Sequence, residues 1–191
     1  ILRCCIMGIL YSKGFNAGMI HSTIGYHGTS ANHGNKIIQE QRINPSTKRT
    51  EWLGNGIYYW AYRSDAVWWG RLESQKAQNS GCAPVVLISE LSVAYEHFLD
   101  LDDSEQYTNF CNEADEFLKS ANGLAFKNIY ELRCFFSNYY AAAHNIELLA
   151  YTFSRNNQTG SGFDRLNRRQ YCVKNPKVIQ SIKMEVDDYA V

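Results

Sequence analysis

The character of the chain changes twice along its length, and that order restricts its folds more than any other feature. Before about residue 104, short β-branched or aromatic runs alternate with glycine-bearing turns. Between about 104 and 143, apolar residues recur at helical spacing. Beyond 146, short apolar runs return. Strand-rich, then helical, then strand-rich is the order of an α+β domain carrying a helical insertion. At 191 residues the chain suits a single domain over 1–191.

The local signals place the elements. Residues 23–27 read as a strand leading into the turn Gly28-Thr29-Ser30. A helix follows over about 31–41, with Ser30 as its N-cap. Gly54-Asn55-Gly56 is a tight turn into a strand at 57–60. Residues 63–79 carry Ala66, Trp69 and Leu72 at helical spacing. Strands are expected over 85–91 and 98–101. In the insertion, Ser104 caps an acidic first turn. Tyr130, Cys134, Ser137 and Ala141 share one face of a second helix. Residues 146–154 are strand-like, 155–168 form a polar loop, and strands at 170–173 and 178–186 close the chain.

Composition removes several function classes. Lys+Arg and Asp+Glu each number 19, so the chain lacks the basic surplus of a broad nucleic-acid footprint. The six cysteines contain no CxxC and no metal-type pairing with the five histidines. They read as reduced, mostly buried thiols of a cytoplasmic protein with no metal. The apolar stretch 1–10 is too short to span a bilayer and is expected to be a first strand or packed arm, so no membrane partner is expected. There is no GxxxxGK[ST], HExxH or GxSxG motif.

Three segments carry candidate chemistry. Gly25-Tyr26-His27-Gly28-Thr29-Ser30 puts an imidazole at a strand end beside a glycine that permits close backbone approach. Taken alone, such a histidine fits a structural role as well. In Ile57-Tyr58-Tyr59-Trp60, alternation sends Tyr58 and Trp60 to one face and Ile57 and Tyr59 to the other. One aromatic pair can be core while the other floors a flat-ring pocket. In Arg169-Gln170-Tyr171-Cys172-Val173, Tyr171 and Val173 face one way, Gln170 and Cys172 the other.

Together these segments resemble the ADP-ribosyltransferases of the His-Tyr-Glu class, the branch of diphtheria toxin and the poly(ADP-ribose) polymerases. Tyr26-His27-Gly28-Thr29 is similar to that family's first motif, and Gly54-Asn55-Gly56-Ile57-Tyr58-Tyr59 to its second. The third motif carries Gln170 where the family has Glu. The likeness covers about 23–69 well and the last strands loosely, and leaves out 104–143. It implies split antiparallel sheets and NAD+ as co-substrate. His27, Tyr58 and Gln170 would be the catalytic residues. His27 would meet the adenine-side ribose, and Gly28 and Thr29 would line the nicotinamide site. Tyr58 would stack on the nicotinamide ring, Trp68 or Trp69 would close its other face, and Ser64 or Ala66 would lie beside it.

The resemblance further implies single ADP-ribose transfer to a macromolecular acceptor, protein, RNA or DNA, by a toxin or effector with an antitoxin or immunity partner. Gln can position a hydroxyl but cannot act as a general base. An NAD+ glycohydrolase and a catalytically inactive NAD+ or ADP-ribose-binding module are therefore the alternatives. Glu147 and Asp164 are candidate substitutes for the absent carboxylate. The arginines of the 155–168 loop, with Phe163 and the following Arg169, suit a nucleic-acid acceptor.

Overall fold

The computed structural model describes residues 18–79, 81–120, 125–153 and 167–185. The N-terminal apolar segment with Cys4 and Cys5, and nearly all of the loop expected at 155–168, including Phe163 and Asp164, lie outside the described residues.

The chain is α+β. A strand β1 (Ile20–Ser30) runs into helix α1 (Ala31–Glu40), and β2 (Ile57–Trp60) into α2 (Arg63–Ser74). The strands β3 (Pro84–Ala94) and β4 (Phe98–Asp100) come before the helical insertion, α3 (Ser104–Ser120) and α4 (Ile129–Ala143). The chain then returns to strands as β5 (Leu148–Phe153), β6 (Arg168–Val173) and β7 (Ile179–Met184).

Among the described residues the strands form one seven-stranded sheet in the order β4-β5-β6-β2-β1-β3-β7. It is mixed, because β4 and β5 are parallel while β5–β6, β6–β2, β2–β1, β1–β3 and β3–β7 are antiparallel. This differs from the expected pair of split antiparallel sheets. The crossover through α3 and α4 explains the parallel pair, since a chain that leaves β4 and returns by a helical connection can re-enter alongside it. The sheet is narrowest in its middle. β1 is registered to β3 over its whole length but meets β2 at Tyr26 opposite Trp60.

Strand period 2 divides the apolar residues between two faces. Ile57 and Tyr59 of β2 join Leu87, Leu148, Tyr171 and Val173 in one cluster, with Ile37 and Ile38 of α1 packed against it. On the other face, Leu149 and Cys172 pack with Phe136 and Tyr140 of α4, with Tyr58 at the edge. Trp60 lies on that second face too, in a smaller cluster with Ala66 of α2 and Val86. Tyr59 is wholly buried, and burying a side chain of this class contributes on the order of 2 kcal/mol.

Three local expectations change. β1 does not turn at Gly28 but continues to Ser30, because β3 pairs with it through Ser30 opposite Pro84. Ser30 precedes α1 as expected, but its side chain makes no capping bond. It is wholly buried, and the first helical N–H, that of Ala31, goes instead to the carbonyl of Ala83 at 2.8 Å. Arg168, expected in a loop, begins β6 opposite Phe153.

Candidate active site

The site is built where β1 and β2 part. Carried two residues past the Tyr26–Trp60 pair, the antiparallel register would set Gly28 opposite Tyr58. The backbones do not pair there. The imidazole of His27 takes the place, donating from Nδ1 to the carbonyl of Tyr58 at 2.9 Å. Its ring meets Tyr59 edge-on at 5.9 Å. A carbonyl can only accept, so the bond fixes the Nδ1–H tautomer and leaves Nε2 as an acceptor in the neutral ring. Burial holds the imidazole below the ordinary histidine value, against the opposing influences of the Tyr58 carbonyl and the charge of Glu73. His27 is thus a neutral acceptor near pH 7.

Tyr58 is tied at its far end. Its hydroxyl donates to Gly54 O at 2.6 Å and accepts from Leu53 N at 3.1 Å, closing the glycine turn onto the strand that follows it. Burial, first, and the neighbouring Cys172 raise its pKa well above the ordinary tyrosine value, so the phenol is neutral and positional. The same turn is held from behind by Lys174, whose Nζ donates to Leu53 O, Asn55 O and Asn138 Oδ1 at 2.6, 2.7 and 3.1 Å. Gly54 has φ of +77°, in the left-handed region, and a Cβ there would fall 2.3 Å from Asn138 Oδ1. The backbone conformation is what requires glycine here, since the nearby Asn138 amide and Lys174 ammonium are ends of flexible side chains.

Gln170 lies on the same sheet face as Tyr58 and Trp60, directly opposite Trp60 on β2 and Tyr151 on β5. Beside it is an aromatic group that the sequence suggested only in part. Trp60 contacts Trp68 at 6.2 Å and Trp69 at 6.0 Å between ring centroids. Both α2 tryptophans stay 37% exposed, so each offers ring surface to a ligand. One face of Trp68 is covered by the Arg168 guanidinium, 3.3 Å from the ring centroid, and Arg168 is also 5.8 Å from Trp60. Arg168 forms an ion pair with Asp65, 2.9 Å between Nε and Oδ1. Asp65 was not singled out as a site residue, whereas Trp60 was read as one of the aromatic pair of β2 and Arg168 as a basic loop residue. The spacing in sequence between α2 and β6 carries no trace of the pairing; only the fold joins them.

The remaining expected residues are placed as follows. Gly28 and Ala66 pack against each other, and a Cβ on Gly28 would lie 1.8 Å from Ala66 O. Gly28 thus lets α2 seat directly on β1. Ala66 has no solvent exposure, and Thr29 is buried. Ser64 is on the exposed side of the first turn of α2. Glu147 is away from Gln170: it accepts from Asn175 Nδ2, and its carbonyl accepts from Lys174 N. So the structure joins His27 to Tyr58, sets Gln170 beside Trp60, and leaves Glu147 in a turn contact.

Among the described residues no group of three or more His, Cys, Asp or Glu side chains could hold a metal ion. Among the same residues no helix is long and apolar enough to cross a membrane. No protein-family model, curated protein or solved structure matches the chain.

Proposed function

We propose that the chain binds NAD+ at the parting of β1 and β2 and transfers its ADP-ribose to a macromolecular acceptor. The observation that carries the reading is the His27–Tyr58 hydrogen bond, which couples the first two motif residues across that opening. A neutral imidazole with Nε2 as acceptor suits a ribose hydroxyl, which can donate to it. The exposed ring of Trp69 suits one face of a nicotinamide, and Gln170, on the same sheet face as Trp60, suits a second ribose hydroxyl. The ADP-ribosyltransferase-like fold is part of the same proposal. It is supported by the weak β1–β2 junction and the helix that follows β2.

The chemistry asks mostly for positioning. The bond between nicotinamide and the anomeric carbon breaks through an oxocarbenium-like state, with the electron pair leaving on the ring nitrogen. The protein holds the dinucleotide bent and exposes the anomeric carbon. Transfer to a toxin or effector target, with an antitoxin or immunity partner, belongs to the same reading.

Incubation with NAD+ labelled in its adenylate half, followed by separation of protein, DNA and RNA, tests it. Label is expected in one fraction, and lost on His27→Ala and Gln170→Ala. Nicotinamide release with free ADP-ribose as the sole product would instead establish a glycohydrolase. That second reading is favoured by Gln170, which cannot deprotonate an acceptor.

A further inference from the structure

We propose that Asp65 supplies the carboxylate missing from the third strand and serves as the base that takes the acceptor's proton; this rests on the NAD+-cleavage reading above. Arg168 and Gln170 are two residues apart on β6 and therefore share a face. That face reaches across Trp60 to the first turn of α2, where the Asp65 carboxylate meets Arg168 at 2.9 Å. The guanidinium lies over the Trp68 ring, 3.3 Å from its centroid, so its position is held by this cation–π contact as well as by charge. Asp65 thus lies beside the ring cluster and on the Gln170 side of the sheet. Two features stabilise it as an anion there: the positive end of the α2 dipole and the Arg168 charge. Its side chain retains 16% exposure, which leaves a route to a proton donor.

The division of labour follows from functional-group chemistry. Gln170 can orient hydroxyls but has no basic atom. A carboxylate can accept a proton as the acceptor heteroatom bonds to the anomeric carbon. In that step the carbon–nitrogen bond to nicotinamide breaks, its electron pair neutralises the pyridinium nitrogen, and neutral nicotinamide leaves. The acceptor's proton passes to Asp65, which becomes a neutral acid and later returns the proton to water. Charge is conserved, since one cation and one anion become neutral species.

A purely structural ion pair, fastening α2 to β6, is the competing explanation. It is separated by comparing nicotinamide release from NAD+ in the wild type, Asp65→Asn, Asp65→Glu, and the exchanges Asp65→Arg and Arg168→Asp singly and as a pair, with thermal melting of each. The acceptor is whichever the wild type uses, water included. Asp65→Asn is expected to lower kcat by about 100-fold or more and to leave KM for NAD+ little changed. Asp65→Glu is expected to retain measurable activity. The exchanged pair is expected to melt below the wild type, since it puts a cation at the N-terminus of α2 and removes the guanidinium from Trp68, but above either single exchange, and to stay inactive. An Asp65→Asn variant with wild-type kcat overturns the proposal, as does an exchanged pair that regains activity together with stability. A wild-type chain that releases no nicotinamide overturns the cleavage reading itself, and the role of Asp65 with it.

Discussion

His27 donates from Nδ1 to the carbonyl of Tyr58 across 2.9 Å, at the point where β1 and β2 stop pairing as backbones. One side chain does two things through this contact. It satisfies a carbonyl that the missing strand pair would leave exposed, and it fixes which ring nitrogen can accept from a ligand.

The first prediction concerns acid. Burial lowers the His27 pKa in the folded state from its ordinary 6.5. The unfolded chain therefore binds this proton more readily than the folded one. As pH falls through 6.5 the group begins to erode stability, and the erosion stops once the pH is below the lowered folded value. His21 shifts in the same direction, chiefly through burial. Urea unfolding at pH 7 and pH 5 is expected to show a smaller acid-induced loss for His27→Gln than for the wild type. An identical loss in both would show that His27 is not the group responsible.

Tyr58→Phe removes a hydroxyl that serves Leu53 N and Gly54 O at once. A part-buried polar group left without its partner costs about 1–3 kcal/mol. The variant is expected to lose about 2 kcal/mol in urea denaturation, with the turn loosened more than the sheet. Hydrogen exchange at the Leu53 amide is the local check, and unchanged protection there would contradict the assignment.

Gly28→Ala places a methyl where Ala66 O already sits, 1.8 Å away. Backbone on both sides must move, because neither group is the end of a flexible side chain. The cost is expected at about 3 kcal/mol or more, at the upper end of ordinary overpacking. The melting temperature measures it. A near-neutral result would mean that α2 does not seat on β1 at this glycine.

The thiols give a chemical test of packing. Cys82 and Cys111 are half-buried, whereas Cys134 and Cys172 are buried, and all four are free. Burial pushes the Cys172 thiol up to about 11, against the opposing influence of Lys174. It therefore stays protonated and slow to react near neutral pH. Alkylation of the native protein is expected at Cys82 and Cys111 well before Cys172, with peptide mass analysis as the readout. Early modification of Cys172 would contradict its place beneath Tyr58 and the glycine turn.

Much of the fold was legible because its signals are local. The alternation in Ile57–Trp60 puts Ile57 and Tyr59 in one cluster and Trp60 in another, as period 2 requires. Cys134, Ser137 and Ala141 are buried on α4 as helical spacing implies, although Tyr130 of the same stripe is exposed near the helix start. What sequence could not show depends on distant partners. Arg168 reads as a loop residue because its neighbours are polar, yet pairing with Phe153 and an ion pair to Asp65 place it in a strand. Arg169 is likewise drawn into β6 by Asp100 and Asp102. The side chain of Ser30 looked like a cap because it precedes a helix, but β3 claims its backbone and burial its hydroxyl. Among the residues proposed for the site, His27, Tyr58 and Gln170 stood out by motif, while Asp65 became visible only when α2 and β6 were brought together.

The most direct measurement of the central claim is nicotinamide released from NAD+ by the purified chain, with and without cell lysate, beside His27→Ala. The account predicts release by the wild type, faster with lysate when a macromolecule is the acceptor, and its loss in the variant at an unchanged fold. No release under either condition, or equal release by a folded His27→Ala variant, would contradict it.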